Sequence, residues 1–364
     1  MRKKTLATVY AVLCTLLLVA GFVLCFVFAL QKDTDSVIEA VVGMAIGLCF
    51  APVIHETGHI VFAKSVKMQI VYAKFFCFKL ISKKNKLVLR FASPFAPDET
   101  QTVPKTGGNM KKRAGVYALG GLIFSGVFLM LTFVMAIILT CIGHTNFLLW
   151  GLIPYMGYLF LLNALPFEYA SGKTDAAVYL GIQKGCDAER VMLAAMEIQG
   201  QLYDGKTFAQ IDKAYYFDIP QLAEDEPLFA VVLDLRYRYY LEKEDYENAA
   251  SMLNRLAGIQ EYLSQEQTQT VMAELVYLHS LKGDFERAEA CANCDKEYFK
   301  SDKAYVKRAL AAYCAAFGKT EAVLPLKEQA EEALRFECMD GVKKWECILL
   351  ARITNNNDSI SKGT

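Results

Sequence analysis

The sequence predicts an all-α membrane protein, with four transmembrane helices and a small β-hairpin, followed by a cytosolic α-helical, repeat-like domain. Three observations predict it. Four apolar runs, at about residues 6–30, 37–66, 114–142 and 147–165, are each long enough to cross a bilayer. A β-branched and aromatic stretch at about 70–92 separates the second run from the third. From about residue 177 the chain turns charged and Tyr-rich, as soluble helical domains are. A membrane domain over 1–176 and a soluble domain over 177–364 are therefore expected. Of the 364 residues, 54% are hydrophobic and 21% charged, and the formal net charge is zero. That balance carries no electrostatic footprint for nucleic acid, which is not expected as a partner. Eleven cysteines are scattered through both halves without a disulfide-like framework, and Cys14, Cys25 and Cys49 lie inside apolar runs. Such usage fits a reducing, cytosol-facing location.

Met1-Arg2-Lys3-Lys4 is a basic start to the first run, Leu6 to Leu30. The run exceeds the roughly 7–15 apolar residues of a signal peptide, and no A-x-A-like site closes it, so a retained helix is expected. After the loop Gln31–Ser36, the second run carries Glu39, Pro52 and the pentapeptide His55-Glu56-Thr57-Gly58-His59. Pro52, three residues before His55, is expected to open the helix and free a carbonyl. Polar side chains at that depth are costly and normally face a bundle interior or a wet cavity. Glu39, near the short outer loop, receives no role. Ile70–Phe78 and Leu87–Phe91 read as paired strands, with Ser82–Lys86 as the turn. Lys111-Lys112-Arg113 precedes the third run, whose Gly120, Gly121 and Ser125 allow close helix approach. A minimal loop, Gly143–Asn146, leads into the fourth. Eleven Lys/Arg lie between runs two and three, whereas the two opposite loops contain only Lys32. The positive-inside rule then places the hairpin and both termini in the cytoplasm, with the chain a multi-pass protein of the cell membrane.

The pentapeptide has the pattern HExxH. Residues four apart share a helix face, so His55 and His59 can offer imidazoles to one ion. Glu56 then lies beside that ion, where a carboxylate can take a proton from an activated water. Zinc needs a third protein ligand. His144 falls in the loop on the far side and His279 deep in the soluble part, so neither suits. The stretch Asn163-Ala164-Leu165-Pro166-Phe167-Glu168-Tyr169-Ala170-Ser171-Gly172-Lys173-Thr174-Asp175 ends the fourth run on the side of the histidines. Either Glu168 or Asp175 can supply an oxygen. Asp175 also reads as an N-cap for the helix expected after it.

An HExxH in a membrane helix, followed about a hundred residues later by an Asn-x-x-Pro…Asp segment, resembles the site-2 protease family of intramembrane zinc metalloproteases. The resemblance covers roughly Val37 to Asp175. It implies a Zn2+ ion held by His55, His59 and Asp175, with Glu56 as the catalytic residue. Asn163 and Pro166 match the family's polar and bend-forming positions and are implied to position the substrate. Two places differ from the family: Asp175 precedes Ala176 rather than glycine, after a longer insertion from Pro166. Gly121-Leu122-Ile123-Phe124-Ser125 stands where the family often has Gly-Pro-x-x-Asn. The implied reaction is hydrolysis of a peptide bond in or near a transmembrane segment of a membrane protein or peptide, within the lipid bilayer.

In the soluble part, Tyr240–Ala250 recurs as Ser280–Ala290 and, more faintly, as Ala315–Ala322. The spacing is close to that of tetratricopeptide helix pairs, which the stretch loosely resembles. A protein partner, recruited or gated there, is the implied use. Cys291-Ala292-Asn293-Cys294 is a lone CxxC and reads as incidental. The competing function is a non-catalytic, membrane-anchored scaffold with a peptide-binding repeat domain on a degenerate protease core.

Overall fold

The computed structural model describes the backbone of residues 2–75, 77–83, 86–93, 99–105, 108–169, 172–295 and 297–360. The chain divides into two compact units, Met1–Glu189 and Arg190–Thr364.

The first unit is built on α1 (Arg2–Leu30), α2 (Thr34–Ser65), α3 (Met110–Cys141) and α4 (Phe147–Ala164). All four are long and apolar enough to cross a membrane, as the four runs predict. On α1 the side chains of Leu16, Leu17 and Phe28 stay about 60% exposed, a surface suited to lipid rather than water. Helix α2 is central and packs against both α3 and α4. It begins on Asp33, whose carboxylate accepts from Ser36 N at 2.7 Å. It then runs through Pro52 to Ser65 without ending there, so the expected opening does not interrupt it. Glu39 does have a role: its Oε2 accepts from the backbone N of Phe147 at 3.1 Å. This places a carboxylate at the N-terminus of α4 and gives one of its first-turn amides an acceptor.

Between α2 and α3 lies an antiparallel sheet of β1 (Met68–Phe75), β2 (Phe78–Lys83), β3 (Lys86–Phe91) and β4 (Glu99–Pro104), in the order β3-β2-β1-β4. The expected hairpin is thus only part of a four-stranded sheet. Its first strand, read as Ile70–Phe78, is two strands folded back so that Phe75 lies opposite Phe78. That stretch is apolar or aromatic at nearly every position and holds no Gly, Pro or Asn, so nothing in its pattern marks a turn. The predicted turn at Ser82–Lys86 joins β2 to β3, although its Lys84 and Asn85 lie outside the described residues. Strand β4 is polar and ends in a proline, which an edge strand tolerates.

After α4, Glu168–Tyr169 (β5) pairs with Gly172–Lys173 (β6) in a miniature hairpin, followed by α5 (Asp175–Lys184) packed on α3.

Helix α6 (Asp187–Tyr203) leads into the second unit, which continues with α7 (Ala214–Phe217), α8 (Pro227–Glu242) and α9 (Tyr246–Gly258). Then come α10 (Gln265–Lys282), α11 (Phe285–Cys294), α12 (Ala304–Ala316), α13 (Thr320–Ala333) and α14 (Asp340–Ile360). Three successive pairs pack together: α8 with α9, α10 with α11, and α12 with α13. The three related sequence segments fall on the turns of these pairs. Each turn uses one left-handed residue, Glu244 (φ 61°), Gly283 (φ 72°) or Gly318 (φ 69°). Asp245 and Asp284 then cap α9 and α11. The core of this unit holds Trp345, Tyr237 and Tyr277 among leucines, and at its centre a buried ion cluster. Arg308 donates to Glu274 at 2.7 and 2.9 Å and to Glu346 at 2.7 Å, while Tyr237 donates to Glu274.

Candidate metal centre

The site starts with a contact between backbones. Gly58, inside the pentapeptide, meets Gly120 of α3 so closely that a Cβ on Gly120 would fall 2.7 Å from the Gly58 carbonyl oxygen. This approach lays the imidazoles of His55 and His59 directly on α3. Gly121 leaves the room they need: a Cβ there would collide with His59 Nε2 and lie 2.7 Å from His55 Nε2.

Each imidazole is then oriented through its other nitrogen. His59 Nδ1 lies 2.9 Å from the Tyr117 carbonyl oxygen, and His55 Nδ1 lies 3.2 Å from Ser125 Oγ. A carbonyl can only accept, so His59 carries its hydrogen on Nδ1 and presents a bare lone pair at Nε2 when neutral. The two Nε2 atoms are 3.3 Å apart.

Asp175 completes the group. Its Oδ2 lies 3.3 Å from His55 Nε2 and 3.5 Å from His59 Nε2, and this buried oxygen has no hydrogen-bond partner. The N-cap of α5 is Thr174, not Asp175: Thr174 Oγ1 accepts from Ala177 N at 3.2 Å. The same hydroxyl donates to the Leu165 carbonyl at 2.7 Å, and the Thr174 amide donates to the Phe167 carbonyl at 3.0 Å. These bonds close the insertion between Pro166 and Asp175 on itself, so its added length does not carry the aspartate away.

His55 Nε2, His59 Nε2 and one Asp175 oxygen thus lie within 3.5 Å of one another, and with both imidazoles neutral and protonated on Nδ1 they present three lone pairs that could hold one cation. Nitrogen and oxygen ligands at about 2.0–2.1 Å from a tetrahedral zinc stand roughly 3.3 Å apart, so this donor set fits that ion. Orientation of each ring through its second nitrogen is what metal-bound histidines commonly show. The three side chains keep 13, 9 and 17% exposure for His55, His59 and Asp175, which shields the site without sealing it.

Glu56 is buried beside this group, its Oε2 accepting from Thr100 Oγ1 of β4 at 2.6 Å. None of Glu168, His144 and His279 joins the donor set. Asn163 is in the last turn of α4 and donates to its own helix, at Leu159 O, 3.1 Å away. Pro166 is exposed just beyond that helix end, and Glu168 is exposed on β5. His144 sits in the loop after α3, nineteen residues past Ser125, or roughly 28 Å along a helix. His279 belongs to the second unit. Among the described residues no other trio of His, Cys, Asp or Glu converges in this way. Thr100 and Tyr117 carry no signal in the sequence, and Ser125 stands out there only as a small packing residue at the place of the family's asparagine. No protein-family model, curated protein or solved structure matches the chain.

Proposed function

We propose that this chain is an intramembrane zinc metalloprotease of the site-2 protease type. The observation that carries the reading is the convergence of His55 and His59, on a helix apolar enough to cross a membrane, with Asp175 at the start of α5, and with Glu56 beside them. When bound, zinc supplies Lewis-acid polarisation of a peptide carbonyl and makes water more acidic. Glu56 accepts the proton of the attacking water and delivers it to the amide nitrogen as the C–N bond breaks. Ser125 Oγ and the Tyr117 carbonyl hold the imidazoles in the ligating orientation.

The substrate is a transmembrane segment of a membrane protein or peptide, locally unwound, because the amides of an intact helix are already paired. Strand β4, at one edge of the sheet and in contact with Glu56, offers main-chain groups to such an extended segment. Asn163 and Pro166 lie where α4 ends, and Asn163 serves the substrate by exchanging its bond to Leu159. The charge asymmetry of the loops supports a cell-membrane protein with the sheet and both termini in the cytoplasm. The helix pairs of the second unit suit a tetratricopeptide-like role, binding a protein partner that recruits or gates substrate.

Zinc content and cleavage in cells, for wild type and Glu56→Gln, test the proposal. Both should purify with one zinc per chain, wild type should cleave a membrane substrate, and the variant should retain it uncleaved. Equal cleavage by the two, or zinc-loaded wild type that binds but never cleaves, would favour the scaffold instead.

A further inference from the structure

We infer that Thr100, on edge strand β4, is a positioning residue that sets the orientation of the Glu56 carboxylate, and that Tyr117 holds Thr100 in place. The inference rests on the protease reading. Three hydrogen bonds run in series through three elements. His59 Nδ1 donates to Tyr117 O at 2.9 Å, Tyr117 Oη donates to Thr100 O at 2.6 Å, and Thr100 Oγ1 donates to Glu56 Oε2 at 2.6 Å. The path leaves α2 at a metal-ligand position and returns to it one turn away, at the base.

A glutamate carboxylate rotates broadly about its last torsion, so a base held only by its backbone samples many orientations. A short O–H···O bond to one carboxylate oxygen is of the stronger, charge-assisted kind and selects one of them. Threonine suits the task because its branched β-carbon restricts χ1 and so aims the hydroxyl. The sheet aims it further. A register shift between Ile70 and Tyr72 of β1 brings Thr100 opposite Ala73, the local re-aiming that bulges perform beside functional sites.

The test uses the full-length chain, zinc-loaded, in phosphatidylcholine–phosphatidylglycerol vesicles. The probes are a quenched-fluorescent leucine–alanine transmembrane peptide with a central Gly-Gly, and a leucyl peptide hydroxamate for binding. Thr100→Val, which keeps the shape and loses the hydroxyl, should lower kcat on the order of 10- to 100-fold with little change in KM. Zinc per chain and the melting temperature should stay at wild-type values, and Thr100→Ser should restore most of kcat. Tyr117→Phe should cause a smaller loss of kcat. In a Glu56→Gln background, Thr100→Val should not change hydroxamate affinity further, since the two residues act as one unit. Wild-type kcat in Thr100→Val overturns the inference, as does zinc loss or early melting that Thr100→Ser fails to restore. A zinc-loaded wild type that cleaves no probe defeats the protease reading instead. Thr100 is then judged by the hydroxamate alone, and equal affinity in wild type and Thr100→Val refutes its role.

Discussion

Asp175 can face the histidines because Thr174 performs the capping of α5 in its place. Removing the carboxylate by Asp175→Ala should therefore abolish stoichiometric zinc without unfolding the helix, whereas Glu168→Ala should leave zinc intact; metal analysis of the purified variants distinguishes them. Ser125→Ala removes only the partner of His55 Nδ1 and should weaken zinc binding by roughly 10-fold, measured by competition with a chelator. Gly121→Ala should be more damaging than its size suggests, because the added methyl group occupies the space of both Nε2 atoms. At this scale the sequence was legible where chemistry is local. His55 and His59 share a helix face by spacing alone, whereas the residues left Glu168 and Asp175 open as the third ligand and only the family resemblance singled out Asp175. Thr100 was not legible, since it meets Glu56 across 44 positions and belongs to a strand with no strong pattern of its own. Tyr117 contributes a backbone carbonyl to His59, which no side-chain motif can announce.

Among the elements, the four long helices were legible because apolar length alone marks a span. The sheet was less so. Its first turn sits in a run that is apolar or aromatic apart from Lys74, and its fourth strand is polar, so its place came from pairing with β1 rather than from hydrophobic alternation. The join between α4 and α5 was opaque for a related reason: a single hydroxyl, Thr174 Oγ1, both caps one helix and ties back to the end of the other. Thr174→Val should lower stability by about 1 kcal/mol through the lost cap, and should also reduce zinc affinity by loosening Asp175. Thermal melting and chelator competition on the same sample check both. A drop in stability with zinc affinity unchanged would show that α5 is held by its packing on α3 alone.

For the molecule as a whole, the second unit depends on a buried charge cluster that composition does not reveal. Burial pushes the Glu274 carboxyl up, but Arg308 and Arg238 outweigh it and hold the group below the usual carboxylate range. Burial also pushes Glu346 up, and there Arg308 offsets the rise only in part. Arg308→Met would remove the cation that hydrogen-bonds both buried carboxyls and should cost about 3–5 kcal/mol, read as early unfolding of this unit by circular dichroism. Breaking the exposed pair Lys300–Glu297 should change stability by less than about 1 kcal/mol. The proposed metal site lies in the first unit: one zinc held by the two imidazoles of His55 and His59 and the carboxylate of Asp175. Zinc-edge X-ray absorption of the purified full-length chain tests it most directly. One zinc per chain is expected, with only nitrogen and oxygen neighbours at about 2.0–2.1 Å and the outer-shell scattering of two imidazoles. A sulfur shell at about 2.3 Å, showing that the cysteines hold the metal, or a protein that purifies and reconstitutes without zinc, would contradict it.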